Sequence, residues 1–303
     1  MPTEAKGRAE AVRLFKKNGN AESSRQEMTF AVNYLLFFGY ISAELIKNVS
    51  YDDLKKGVQA FQKMFGIKSD GVIDAKTLRA MECPRCGCPD HIDKGNKEHL
   101  QFLRVQEITA EKRDRWNKQG LTYCISQYID GLAKNVQQKI IADAFKAWDD
   151  VCGLHISLAK SASKADIVIA TGRGPQHNFD GRGGVLAWAY LPTGNDNQLT
   201  MKFDLDETWV TQPKQRGIQM FNVACHEFGH LLGLTHSKKL GALMAPYYNP
   251  FIATPQQDDD IVRVQKLYGP NRNPALVRGV KQVGNDLAVD LQPGQRLVVT
   301  CNK

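Results

Sequence analysis

The sequence predicts an α+β fold in two parts, a small helical domain followed by a larger domain of strands and helices. Helical patterns occupy the chain before residue 82, whereas β-prone segments alternate with amphipathic helices from Leu121 onward. The chain has 303 residues, which is enough for two compact domains. Because 42% of the residues are hydrophobic, the composition excludes a chain that is disordered throughout.

Helical periodicity defines the first domain. Thr29–Phe38 is apolar on nearly all sides, and Asp52–Phe65 carries apolar residues at spacings near i, i+4 and i+7. A turn signal at Ser69–Gly71 separates these segments from a short helical pattern at Ala75–Met81. Together they predict a small helical domain over residues 29–90.

The second domain is predicted from short strands that alternate with longer helices. The expected order is strand Leu121–Tyr128, helix Val136–Val151, strands His155–Leu158, Asp166–Ala170 and Gly183–Leu191, and helices Gly217–Leu232 and Asp259–Leu267. Gly233 marks the end of the first of these last two helices.

The remaining segments have weaker patterns. Residues 1–28 form an N-terminal extension, and the charged stretch 91–116 is predicted to be a linker between the two domains. The second domain then covers residues 117–270, and the tail 271–303 alternates only weakly.

Charge distribution argues against a nucleic-acid partner, and the lack of a long apolar run argues against a membrane span. The net charge is +8, but the excess is spread along the chain without the clustered Lys and Arg of a nucleic-acid surface. No window approaches the roughly 18 apolar residues of a membrane span. Met1–Asn20 is charged and lacks the apolar core of a secretory signal.

The strongest chemical signal is the segment from His226 to His236. His226 and His230 lie one helical turn apart and point the same way, so both imidazoles can bind one metal ion. Gly233 permits a sharp turn that brings His236 to the same ion. Three neutral imidazoles suit Zn²⁺ and leave a fourth position open for water, which is typical of a catalytic site.

Glu227 follows His226 and is predicted to be the general base. Zinc lowers the pKa of bound water from about 15.7 to about 7, and a nearby carboxylate can take the proton as the water attacks a carbonyl. The alternative is a helix that carries histidines by chance, but the eleven-residue pattern with Glu227 and Gly233 in place is far more specific than one histidine pair.

These residues and the segment Ala242–Tyr248 resemble the matrixins, the matrix-metalloproteinase type of zinc endopeptidase in the metzincin clan. The resemblance implies a mainly parallel twisted sheet with one antiparallel edge strand and three helices. It also implies that Met244 lies beneath the zinc ligands, and that Pro246 and Tyr248 line the pocket for the residue after the cut.

The segment Pro84–Asp90 resembles the cysteine switch of the same family. The resemblance implies that Cys86 binds the zinc in a latent form, because a tethered thiolate competes with water at an effective concentration of about millimolar. Arg85 and Asp90 are then expected to pair and hold the loop. A structural zinc knuckle that uses Cys83 with Cys86 is the alternative, and Cys83 and Cys88 both depart from the usual switch pattern.

The helical domain before the switch resembles a peptidoglycan-binding-like propeptide. The segments around Gln59–Gln62, Asp70–Val72 and Thr77–Leu78 carry this resemblance. It implies an inhibitory prodomain, and binding to a cell wall is the alternative.

Two further segments, Asp180–Ala187 and Phe203–Trp209, resemble the stretches that share one calcium ion in matrixins. Carboxylate and carbonyl oxygens are the ligands that Ca²⁺ prefers. The implied ligands are the side chains of Asp180, Asp204 and Glu207 and the backbone oxygens of Gly181, Gly183 and Val185. The alternative is a glycine turn beside a solvated acidic turn. Leu186 and Ala187 are expected in the edge strand that pairs with an extended substrate.

The chain also departs from the matrixin pattern. Trp188 and Lys202 stand where two histidines of the family's structural zinc belong, so no structural zinc is expected. A second calcium near Asp166 is doubtful. Cys124 falls on the first predicted strand and Cys152 beside the next, and these strands are neighbours in the family's sheet. Both a disulfide and two reduced thiols stay open.

Together these expectations describe a latent zinc-dependent endopeptidase that acts on proteins or peptides as a monomer. The resemblance implies an apolar residue after the cut, a protease as activating partner, and an extracellular location, although a cytoplasmic one stays open without a visible signal segment. The competing hypotheses are an inactive zinc-binding protein and a peptidoglycan-binding protein.

Overall fold

The computed structural model of the chain describes residues 25–42, 50–91, 115–194, 196–212 and 214–271, and the backbone of three later strands. The chain divides into two compact units, residues 1–269 and 270–303. The predicted extension 1–28 and linker 91–116 lie mostly outside the described residues.

Two of the three helices in the helical part begin at a residue whose side chain caps the first turn. Ser50 accepts a hydrogen bond from the backbone N–H of Asp53, and Asp74 accepts one from the N–H of Thr77, so each satisfies a free donor of a first helical turn. The helices are α1 (Arg25–Phe37), α2 (Tyr51–Met64) and α3 (Ala75–Met81).

Aromatic side chains form the core of these helices. Phe61 is fully buried, and its ring lies 5.3 Å from that of Tyr34 and 5.6 Å from that of Tyr40. Buried Gln62 fixes the turn before α3, because its amide oxygen accepts from Gly71 N–H and its Nε2 donates to the carbonyl of Val72.

The larger part is built on a six-stranded mixed sheet with the strand order β1-β5-β6-β4-β2-β3. Its strands are β1 (Arg85–Cys86), β2 (Gly120–Ile125), β3 (His155–Leu158), β4 (Ile167–Gly172), β5 (Val185–Ala189) and β6 (Leu199–Asp204). β2 runs parallel to β3 and β4, and β4 runs parallel to β6. β5 is antiparallel to β6 and parallel to β1.

Two helices cover the sheet, α4 (Lys134–Asp149) and α5 (Met220–Leu231). The rings of Phe145 on α4 and Phe228 on α5 stack with centroids 3.6 Å apart, and Trp148 is fully buried beside them. A five-residue π-helix at Gln257–Ile261 leads into α6 (Val262–Tyr268). The predicted α+β class with a mixed sheet and three helices after a small helical domain is therefore confirmed.

Several elements differ from the sequence prediction, which contains neither β1 nor β6. In β6, the apolar residues Leu199, Met201 and Phe203 do alternate with polar ones, as in a strand that is buried on one face. Helix α5 begins at Met220 instead of Gly217, since β8 (Ile218–Gln219) pairs with β7 (Trp209–Val210). The helix predicted at Asp259–Leu267 is divided between the π-helix and α6.

The second unit contains a three-stranded antiparallel sheet of β9 (Gly279–Val283), β10 (Asp286–Asp290) and β11 (Arg296–Val299). Among the described residues, no helix has the length and apolar character needed to cross a membrane.

Candidate metal centre and the segment that closes it

Helix α5 and the turn after it bring three histidines together. His226 and His230 are both buried on α5, and their ring centroids lie 5.0 Å apart. The chain leaves the helix through Gly233 at φ 100°, a left-handed conformation that glycine adopts without strain. His236 follows, with its ring 4.7 Å from that of His230.

Backbone carbonyls set the orientation of two of these rings. Nδ1 of His226 lies 2.7 Å from the carbonyl oxygen of Leu243, and Nδ1 of His230 lies 2.7 Å from that of Leu234. A carbonyl can only accept, so each Nδ1 carries the proton and each Nε2 is left with a free lone pair. Nε2 of His226 is buried without a hydrogen-bond partner among the described residues.

Cys86 completes the group. Its Sγ lies 3.4 Å from Nε2 of His230, and the four ligand atoms of Cys86, His226, His230 and His236 all lie within 4.8 Å of one another. Zinc–nitrogen and zinc–sulfur bonds of about 2.0 and 2.3 Å place tetrahedral ligands at such separations. The residues therefore fit a four-coordinate zinc ion with three nitrogens and one sulfur.

Burial controls the protonation of these groups. Desolvation lowers the pKa of His226 to about 3 and also lowers the pKa values of His230 and His236, which keeps the imidazoles neutral as metal binding requires. Desolvation raises the pKa of the Cys86 thiol, so a thiolate there needs a cation beside it.

Asp90 joins the switch segment to the metal centre, a contact that the sequence analysis missed. Its Oδ1 lies 2.6 Å from Nδ1 of His236 and 2.7 Å from Nη2 of Arg85, and its Oδ2 accepts a 2.5 Å hydrogen bond from Tyr40. Burial alone would raise the pKa of Asp90, but the charge of Arg85 holds it below its usual range. Asp90 is thus an ionised partner for one of the three histidines.

Arg85 is held by aromatic rings of the helical part. Its guanidinium lies 3.4 Å from the centre of the Phe38 ring and donates a 2.5 Å hydrogen bond to the hydroxyl of Tyr34. The side chains of Arg85 and Asp90 are 1% and 0% exposed, so the expected pair exists as a buried ion pair.

Glu227 lies beside this group with an unusual environment. The residue is fully buried, and neither carboxylate oxygen has a hydrogen-bond partner among the described residues. Burial raises the pKa of Glu227 to about 8. Its carboxylate lies within 4.8 Å of the ligand atoms of Cys86 and His230.

Met244 is buried and lies against Gly229 of helix α5, the helix that carries His226 and His230. Its Sδ would lie 2.3 Å from a Cβ atom built at Gly229, so the helix approaches this closely only because that position is glycine. Buried Asp260 fixes the turn by accepting hydrogen bonds from the N–H groups of Leu243 and Met244. The sequence pattern places Asp260 only at the start of a helix. Its hydrogen bond with Met244 spans 16 residues and therefore leaves no local signal.

The switch segment lies in a slot between β5 and the chain that follows Met244. Arg85 N–H donates to Gly184 O at 2.7 Å on one side, and Cys86 N–H donates to Pro246 O at 2.9 Å on the other. Leu186 and Ala187 thus lie in a strand that β1 already pairs. Tyr248 N–H donates to Pro84 O and so adds a further hydrogen bond between the switch segment and the chain that follows Met244.

A pocket adjoins the slot, and Leu186, Pro246 and Tyr248 line it together with Cys86, His226 and Glu227. Asn222 also lines it and is 3% exposed; its Oδ1 has no hydrogen-bond partner among the described residues. The sequence analysis did not single out Asn222, although its position one turn before His226 is the signal that could have found it.

The segments expected to share calcium do meet. Glu207 Oε1 accepts a 2.6 Å hydrogen bond from Gly183 N–H, and Asp180 Oδ1 accepts one of 2.9 Å from Val185 N–H. Gly181 and Gly183 both have positive φ. Burial, with charge repulsion from neighbouring aspartates, raises the pKa of Asp204 to about 6, and its Oδ2 has no hydrogen-bond partner in the described part of the chain.

At the position of the family's structural zinc, Lys202 Nζ lies 3.0 Å from Nδ1 of His177, while Trp188 Nε1 donates to the His177 carbonyl. Asp166 accepts a hydrogen bond from Thr122 N–H at 2.8 Å.

Within the part of the chain that the structure describes, the cysteines outside the metal centre form no disulfide. Cys124 and Cys152 are both unpaired in the structure, and Cys225 is buried. Cys83 is exposed and donates to the carbonyl of Arg79.

Comparison with known proteins finds two families. A profile of the matrixin family matches residues 115–269, and one of the peptidoglycan binding domain family matches residues 24–81. The chain is 39% identical over 216 residues to the hatching enzyme of Paracentrotus lividus, covering 70% of this chain and 33% of that protein. It is 36% identical over 270 residues to interstitial collagenase A of Mus musculus, covering 86% of this chain and 53% of that protein.

A third relative is matrix metalloproteinase-18 of Xenopus laevis, at 35% identity over 272 residues, which covers 87% of this chain and 54% of that protein. The matched part of the chain thus spans from one third to about half the length of these curated relatives.

Proposed function

Because this chain belongs to the matrixin family, we propose that it is a zinc-dependent metalloendopeptidase that hydrolyses peptide bonds within proteins. The observation that carries the proposal is the convergence of three buried imidazoles beside the unpartnered carboxylate of Glu227. Matrixins are zinc-dependent, and the nitrogen and sulfur donors of this site suit that ion.

The chain's own residues would divide the work as follows. His226, His230 and His236 hold the zinc, which supplies Lewis acidity to a carbonyl and acidifies water when it is bound. Glu227 takes a proton from the attacking water and later delivers it to the departing amine. Its buried position and raised pKa suit a group that both accepts and donates a proton near neutral pH.

The slot between β5 and Pro246 is the proposed substrate site. Leu186 and Ala187 present backbone groups to which an extended peptide can add as a strand. The pocket lined by Leu186, Pro246 and Tyr248 would take an apolar side chain after the cut. We propose protein or peptide substrates for a monomeric, extracellular enzyme.

We further propose that residues 29–90 act as an inhibitory prodomain. Cys86 would hold the zinc position that water needs, while the Arg85–Asp90 pair and the β1–β5 pairing keep the segment in the slot. Cleavage between Asp90 and Trp116 by an activating protease would then release the site.

One calcium ion is the second proposed cofactor. Asp180, Asp204 and Glu207 would supply carboxylates, with backbone oxygens from Gly181, Gly183 and Val185. The hydrogen bond from Gly183 N–H to Glu207 joins the two segments that carry these residues. Asp204 Oδ1 accepts a hydrogen bond from Asp206 N–H, but its buried Oδ2 has no donor among the described residues. This oxygen supports the proposal, because a cation would offset the cost of burying it unpaired.

The test combines trimming with substitution at Glu227. Cleavage between Asp90 and Trp116 should yield peptidase activity on an unfolded protein, and a chelator should abolish it. Glu227→Gln should lower kcat by at least about 100-fold while the zinc content stays at one ion per chain.

Asp143→Asn, an acid-to-amide change at an exposed residue of α4 outside both proposed metal sites, is the matched control and should retain activity. A trimmed chain that holds zinc but cleaves nothing would favour the inactive zinc-binding hypothesis.

A second candidate function rests on the match of residues 24–81 to the peptidoglycan binding domain family. Co-sedimentation of the uncut chain with purified peptidoglycan tests it. Saturable binding would show that the helical part has a role beyond inhibition, and its absence would leave the prodomain role alone.

A further inference from the structure

The switch segment contains a second cysteine that the proposed latency does not use. Cys88 is 1% exposed, and its backbone N–H lies 3.3 Å from Sγ of Cys86. The sulfur atoms of Cys86 and Cys88 belong to one group whose ligand atoms all lie within 4.8 Å of one another. Rotation of the side chains would bring them to the separation of about 2.0 Å that a disulfide requires.

The surroundings of the two thiols differ. Cys86 lines the pocket beside the slot, whereas Cys88 does not line it and donates from its Sγ to the carbonyl of Ala189 at 3.2 Å. A small oxidant that enters the pocket therefore meets Cys86 first. Cys83 is exposed and bonded to Arg79, outside this group, so it is not placed to compete.

We propose that Cys88 is a resolving cysteine, and that hydrogen peroxide converts Cys86 and Cys88 into a disulfide that opens the latent site without cleavage of the chain. This inference rests on the proposed role of Cys86 as the latent zinc ligand. What Cys88 adds is reversibility, because a disulfide returns to two thiols on reduction whereas a sulfinic acid does not.

The chemistry balances in two steps. The Cys86 sulfur attacks peroxide, the O–O bond breaks, and Cys86 becomes a sulfenic acid while one water leaves. Sγ of Cys88 then attacks the Cys86 sulfur, the S–O bond breaks, and the hydroxyl leaves with the thiol proton as a second water. The two sulfurs together lose two electrons, and peroxide is the oxidant that takes them.

The consequence for the metal site follows from the ligand chemistry. A disulfide sulfur no longer carries the thiolate charge that made it a zinc ligand. Water would then take the fourth position, and without the sulfur–zinc bond the segment would leave the slot, so that β5 becomes free to pair with a substrate. A reductant would restore the thiol and the latency, which distinguishes the disulfide from sulfinic acid.

The sequence allows a direct assay on the full uncut chain. Trypsin cuts after Arg79 and Arg85, so Cys83 and the pair Cys86–Cys88 fall in different peptides. After peroxide treatment we expect the peptide that begins at Cys86 to lose two hydrogen atoms in mass. The uncut chain should gain activity by about tenfold or more and lose it again on treatment with a phosphine reductant.

Cys88→Ser is the decisive variant, because serine can still donate to Ala189 O but cannot resolve a sulfenic acid. Its Cys86 should gain oxygen atoms instead, and its activity should stay high after reduction. Cys83→Ser is the matched control and should behave as the unaltered chain does.

Three results would overturn the proposal: a tryptic peptide that gains oxygen in the unaltered chain, a disulfide to Cys83, or identical behaviour of Cys88→Ser. Failure of the proposed latency is a separate outcome. Cys86→Ser would then remain inactive without trimming, whereas the mass of the peptide still reports whether the disulfide forms.

Discussion

A single carboxylate, that of Asp90, connects three features of the molecule. It accepts from Arg85 and from Tyr40 of the helical part, and it lies against Nδ1 of His236 in the metal centre. A carboxylate behind a metal-binding histidine fixes the ring and raises its basicity. The Asp90 carboxylate therefore contacts both Arg85 of the switch segment and His236, one of the proposed zinc ligands.

Asp90→Asn should weaken latency. The substitution leaves the Arg85 guanidinium buried without its counter-charge, which costs about 3–5 kcal/mol in comparable sites. We expect the Cys86 thiol of the uncut chain to react with an alkylating agent at least about tenfold faster.

Asp143→Asn is the control, since its pair with Lys139 is exposed and should be worth about 1 kcal/mol or less. Equal alkylation rates in the unaltered chain and Asp90→Asn would contradict a locking role for this ion pair.

At the scale of elements, the loop that precedes β5 and the turn after β6 bring acidic side chains together. Burial is the largest cause that raises the pKa values of Asp180, Asp204 and Glu207, and like charges nearby add to it for Asp204 and Glu207. Without a cation, these two segments oppose each other through their charges.

The calcium dependence of stability should therefore increase with pH. In the calcium-free chain, a folded-state pKa above the unfolded one of about 3.9 means that stability is present at low pH and is lost as pH rises toward about 6. Calcium should restore that loss, so removing calcium should lower the melting temperature more at pH 7.5 than at pH 4.5. Asp204→Asn should flatten this difference, and an equal calcium effect at both pH values would argue against the site.

At the scale of the whole molecule, residues from the helical part complete the sheet of the larger part. β1 pairs with β5, and a core cluster joins Phe61 and Met64 of the helices to Val185 and Trp188 at the sheet. The contacts of residues 1–269 accordingly form one compact unit.

We expect this unit of the uncut chain to unfold cooperatively in a single calorimetric transition. Trimming and removal of the helical part should shift the transition to lower temperature, because Val185 and Trp188 lose apolar cover. Two separate transitions in the uncut chain would contradict the shared core.

Local patterns made much of this molecule predictable from sequence. The helix Ala75–Met81 and the histidine spacing on α5 depend on residues a few positions apart, so both can be predicted from a short stretch of sequence. The contact of Asp90 with His236 and that of Asp260 with Met244 could not be predicted in this way. Both depend on how distant segments pack, and an acidic residue has no local signature for its remote partner.

β1 has one more consequence for the released molecule. While the chain is intact, this short strand covers the outer edge of β5. Its departure leaves a row of backbone amides and carbonyls facing solvent, and such rows recruit strands from other copies of a protein. The proposed activation would thus exchange a covered sheet edge for an exposed one that is prone to aggregation, so concentrated stocks of this protein should keep better before trimming than after it.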